Sequence, residues 1–159
     1  MSGNHVLPTH LADAKALALD ADSHRFIAAL ASSAVKTVDH AAWQSPRLAT
    51  RLAELGALAA NKARMAATAA AASSEEADKL LRNAGLDCEI DDAAKQILSM
   101  AQSAVHDAFA FSREAEDCLQ SIGQACLVLG NGNESDIPIQ PTTEHDVLCT
   151  QAIKNQIVW

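Results

Sequence analysis

The chain predicts an all-α fold: an elongated antiparallel bundle of three long helices, with an alanine-rich coiled-coil hairpin between helices two and three. An extended segment and a short C-terminal helix should follow it. Three observations carry that prediction. About one residue in five is alanine, and aromatic residues make up 3% against 49% apolar ones, a composition that favours long helices over sheets. Small and apolar residues recur at alternating three- and four-residue steps over stretches much longer than a strand. Strong breaking signals cluster at three places, "WQSPRL", "NAGLDCEIDD" and "GNGNESDIPIQP", which divide the chain into three helical stretches and a tail.

The first helix is expected from about Thr9 to His40, with Leu17, Ala21, Ala28, Ala31, Val35 and Val38 in one core register and His24 at the missing step. Pro46 suits the first turn of helix two, with Ser45 as its cap. That helix should end near Asn83, where Gly85 stands at the position that takes a left-handed conformation. The carboxylates of "DCEIDD" suit the positive end of helix three, which should run to about Leu129. At 159 residues the chain has room for one domain. The bundle is therefore assigned to 1–130, and 131–159 to an extended linker with a short apolar helix or docking tail.

Helix two carries a small-residue seam. Ala49, Gly56, Ala63, Ala70, Ala77 and Ala84 fall at seven-residue intervals. Helix three answers with Ala94, Ala101, Ala108 and Ala115, with Ile90, Ile97, Phe111, Ile122 and Leu129 in the same frame. Small side chains let two antiparallel axes approach to about the lower end of the usual 8–10 Å. Gly56 and the Ser73-Ser74 pair are where helix two is most open to a kink or an end, and a break there would give four helices instead of three.

Uncharged windows occur at 26–35, 65–74 and 96–105. An outward helix face normally carries charge. Alanine buries little area, at roughly 25 cal/mol per Å², so a core built from it gains from further burial against a neighbour. The expected contact residues are Ala63, Met65, Ala66, Ala70, Ala101 and Ala108 on the bundle. Leu148, Ile153, Ile157 and Trp159 join them from the tail, where Pro138 and Pro141 impose an extended path and Thr143 with Asp146 resembles a helix cap. The expected partner is a further copy of the chain or another protein.

Charge and motifs narrow the function. A net charge of −8 opposes binding to a phosphate backbone, which needs clustered Lys and Arg. No run reaches the roughly 20 apolar residues of a membrane span, and the start lacks the pattern of a cleaved signal. A cytoplasmic setting is expected, and secretion without a cleavable signal is compatible with the same sequence. Cys88, Cys118, Cys126 and Cys149 form no CxxC pair and read as buried or idle thiols. Cys118 and Cys126 are about 12 Å apart along a helix and cannot bond to each other. His106 and Asp107 are adjacent and point about 100° apart. The Glu-x-x-His pairs of di-iron bundles are absent, and so are a phosphate loop, a G-x-S-x-G elbow and H-E-x-x-H. "GNGNESD" lacks the spacing of a calcium loop. Arg47, Arg51, Lys62 and Arg64 make early helix two basic, with Glu54 interrupting.

The expectation is thus a non-enzymatic structural, self-assembling or adaptor protein, with no catalytic, cofactor or metal site. One rival is a bundle that binds a metal or small ligand near His24, Cys118 or Cys126. A second rival is a secreted effector that binds a host protein; it shares the mechanism of the first expectation and differs in location.

Overall fold

The computed structural model describes residues 6–86, 91–130, 151 and 154–155. Three long helices dominate: α1 (Val6–Gln44), α2 (Ala49–Asn83) and α3 (Asp92–Gly130), with a 3-10 turn, Pro46–Leu48, leading into α2. Every core cluster takes residues from all three helices, and no strand occurs among the described residues. The fold is an all-α bundle. The expected C-terminal tail lies outside the described residues, apart from isolated positions.

The helix ends follow from local chemistry. After α1, the Ser45 carbonyl accepts the Leu48 N–H at 2.9 Å, closing the 3-10 turn in which Pro46 loses no donor that a helix start would use. Gly85 ends α2 in the left-handed region, at φ 72. Its N–H donates to the Arg82 carbonyl and that of Leu86 to the Leu81 carbonyl, each at 3.0 Å. This is the paired-bond C-terminal motif that glycine permits, and Leu86 packs onto the cluster holding Leu81. At the start of α3, the Asp91 carboxylate accepts from the N–H groups of Ala93 at 3.0 Å and Ala94 at 3.3 Å, satisfying donors that have no partner within the helix.

Helix two is continuous, so the four-helix alternative does not arise. Neither Gly56 nor Ser73-Ser74 interrupts α2, which runs unbroken from Ala49 to Asn83. Ser73 is 9% exposed and its hydroxyl is used by another helix, while Gly56 is buried against side chains of α1 and α3. Both residues are small because packing requires it.

The chain divides into two compact units, and each takes a piece of every helix. The first combines α1 up to Ala29 with Arg64–Phe111. Its interior holds Ala14, Ala18, Ala21 and Ala28 from α1, Ala67, Ala70, Ala77 and Leu81 from α2, and Ala94, Ala101 and Ala108 from α3, all fully buried. The second combines Leu30–Ala63 with α3 from Ser112 onward. Val35, Val38, Leu52 and Ile122 are fully buried there, each contributing about 1.5–3 kcal/mol by burial.

Candidate functional site

The first unit presents an unusual outer face on α1. Inward positions recur at Ala14, Ala18, Ala21 and Ala28. In the opposite phase stand Ala12, Ala16, Leu19, Ser23 and Phe26, spaced by four, three, four and three residues, all exposed and all uncharged. Leu19 is 51% and Phe26 58% exposed, with Ile27 beside them. The Ser23 hydroxyl donates to the Leu19 carbonyl at 3.0 Å, so its proton is already used within the helix. Spacing of this kind is the seam by which one helix packs along another. Met65 on α2 and Met100 and Phe109 on α3 also expose large apolar side chains in this unit.

Polar groups in the same unit are committed to structure. Ser73 donates to Asp20 Oδ2 at 2.6 Å, and His24 Nε2 lies 3.4 Å from the same oxygen. Ser, Asp and His therefore meet, but the carboxylate stands in the middle. A nucleophilic triad needs the imidazole between the other two, so that it can take the hydroxyl proton. Here the carboxylate joins α1 to α2. Arg25 Nε donates to Asp22 at 2.7 Å, and that bond, with the charges of Asp22 and Asp107, raises the guanidinium pKa further.

A groove of about 870 Å³ lies between α2 and α3 of this unit. Ala71, Ser74 and Asp78 line one wall, and Leu98, Gln102 and Val105 the other. The charges along it are paired: Asp78 with Arg82 at 2.8 Å and Glu75 with Lys79 at 2.9 Å. The Lys79 bond is the main cause of the lowered Glu75 pKa.

In the second unit, Glu114 Oε2 accepts from Lys36 at 2.9 Å and from the buried Ser32 at 3.1 Å. These bonds, led by that of Lys36, hold its carboxyl below the usual range against the opposing effect of burial. Trp43 Nε1 donates to Ser121 at 3.1 Å. Cys118 is half-buried, and burial first, then the negative charge of Asp39, pushes its thiol up while Lys36 pulls the other way. A thiol held protonated is a poor nucleophile. Asp39 Oδ1 is buried without a hydrogen-bond partner.

Of the expected contact residues, Ala63, Ala66, Ala70, Ala101 and Ala108 line the interiors of their own units, while Met65 is 63% exposed. In the uncharged 65–74 window, Ala66, Ala67, Ala70 and Ser73 are buried and Met65, Thr68 and Ala72 face outward. Much of that bland stretch therefore serves the chain's own packing. Leu148, Ile153, Ile157 and Trp159, like Cys88 and Cys149, lie outside the described residues. His24 belongs to the first unit and Cys118 and Cys126 to the second. Among the described residues, no group of three or more His, Cys, Asp or Glu side chains is arranged to hold a metal. His24, placed in the core register by periodicity, is only half-buried and turns to Asp20.

The outward α1 stripe escapes a reading for the core, because periodicity finds the inward register first and stops there. The available signal was a second three-four repeat, free of charge, in the opposite phase of the same helix. No helix among the described residues is long and apolar enough to cross a membrane. No protein-family model, curated protein or solved structure matches this chain.

Proposed function

We propose that this protein is non-enzymatic and acts through helix–helix association, as a self-assembling, structural or adaptor subunit in a cytoplasmic setting. The observation that carries the reading is the exposed, charge-free repeat Ala12, Ala16, Leu19, Ser23, Phe26 on α1. A helix that is apolar in two opposite phases has a second face to bury. Scattered exposed apolar residues are ordinary, but a seam-spaced row is the form that a partner helix recognises. The occupant in this reading is another copy of the chain or a helix of another protein.

The same reading takes α2 and α3 as an antiparallel, coiled-coil-like pair. Supporting it, the second unit sets Gly56 against Ile122 and groups Ala63 with Ala115, and the first groups Ala70 with Ala108 and Ala77 with Ala101. Each heptad gained along α2 is matched by a heptad lost along α3.

Sedimentation of the full chain at micromolar concentration tests the association. Self-association that is lost in Leu19→Glu/Phe26→Glu, with helicity and melting temperature unchanged, is the expected result for a homo-oligomer. If the wild-type chain is monomeric and neither that double variant nor deletion of 143–159 alters solubility or protein binding, the proposal falls.

A further inference from the structure

We infer that Gly56 and Ile122 form a register pin, which selects one alignment of α2 against α3 from several that the alanine seam would otherwise make nearly equivalent. This rests on the antiparallel heptad reading given above. Methyl-sized residues at seven-residue intervals make a surface that repeats when one helix slides past the other by about 10 Å. Alanine is then exchanged for alanine, and the contacts change little. Repetition specifies packing without specifying position.

What breaks the repetition in the second unit is Ile122, fully buried on the α3 seam. Opposite it stands the one glycine of α2. A methyl group added at Gly56 would lie 2.8 Å from Ile122 Cδ1, 3.4 Å from Val38 Cγ1 and 3.6 Å from Leu119 Cδ1. The first distance is inside the 3.5–4.0 Å or so at which carbon atoms pack. To make room, the isoleucine ethyl group would have to turn away within a cluster that Val38 and Leu119 also fill. A slip of one heptad either way would set Ile122 against Ala49 or Ala63, and both carry the methyl that Gly56 lacks. Glycine in a helix interior ordinarily lowers stability. Here its missing side chain is what receives the isoleucine.

The pin predicts a sign. An ordinary helical Gly→Ala change raises the melting temperature, whereas Gly56→Ala should lower it. Register itself is read from spin-label distances in the full chain, with Cys88, Cys118, Cys126 and Cys149 replaced by alanine. Labels at Glu54 and Gln124 should give one narrow distance in the parent. In Gly56→Ala, and in Ile122→Ala where the seam becomes uniformly small, a second population displaced by about a heptad should appear while helicity is retained. Leu52→Ala, which opens the same core without touching the pin, should destabilise the protein and keep the single distance.

A higher melting temperature in Gly56→Ala, or an unchanged single distance in both pin variants, overturns the pin. The underlying antiparallel reading has its own control. Labels at Asn61 and Asp117 should span the same distance as the first pair, and an excess of about 15 Å would mean that the helices run parallel.

Discussion

Among the described residues, the second unit sets Val35, Val38, Leu52 and Ile122, all fully buried, among its alanines, whereas the first is richer in alanine, with Leu81 fully buried and Ile97 and Leu98 nearly so. The difference shows two ways of using one architecture. Branched side chains bury more apolar area per residue, and their shapes fix which partner they meet. Alanine brings the backbones together and favours the helix itself, but it gains little from burial and says little about position. Both units add directional contacts between helices: Ser73 reaches Asp20 in the first, and Ser32 and Lys36 reach Glu114 in the second. The first unit also carries the uncharged outer row on α1, while the second unit exposes Leu58, Leu127 and Val128.

Leu52→Ala should break the contrast most severely. Leu52 is 1% exposed, and truncating it should cost about 2–5 kcal/mol, read from chemical denaturation. Enlarging the first unit tests the opposite limit. Ala70→Leu places three additional carbons in a fully buried alanine site and should cost about 1–3 kcal/mol by overpacking. A stabilised Ala70→Leu protein would mean that the alanine interior holds unfilled space. Ser73→Ala should cost about 1 kcal/mol, less than a fully buried hydroxyl–carboxylate bond, because water can reach Asp20 in its place; calorimetry of the variant beside wild type measures it.

Acid should produce the smallest change. Glu114 has a folded pKa below its ordinary 4.5, so the unfolded chain takes up the proton first as pH falls. Its stabilising contribution is complete above about pH 4.5 and disappears as pH drops through the folded value. The carboxylate is half exposed, which limits the effect to under about 1 kcal/mol. Glu114→Gln should remove that part of the acid dependence, and denaturation curves at pH 6 and pH 3 compare the two proteins.

Much of the bundle was legible in advance. Gly85 stands just after the last periodic residue of helix two, the place of a left-handed end, and it has φ 72°. Periodicity puts Ala21, Ala28, Ala31, Val35 and Val38 in the α1 core, and all are fully buried, while Leu17 of the same register is half-buried. The small-residue heptads on α2 and α3 face inward as their periodicity required, with Ala84 at the helix end only half-buried. The candidate surface was less legible. Ala63, Ala66 and Ala70 were expected at a contact and lie inside the fold. An alanine stripe on a helix looks the same whether it meets its own chain or another.

The sequence by itself determined, to within about a turn, where helices start and stop, and which positions share a face. These depend on hydrogen bonds, caps and side-chain spacing within a few turns of one segment. Only the tertiary structure decided that Gly56 receives Ile122, that Ser73 answers Asp20 from 53 residues away, and that Leu19 and Phe26 are left facing outward. Those outcomes depend on which surfaces meet, and in a chain so rich in alanine many pairings are nearly alike in local terms. The few residues of distinctive size or charge therefore settle the arrangement.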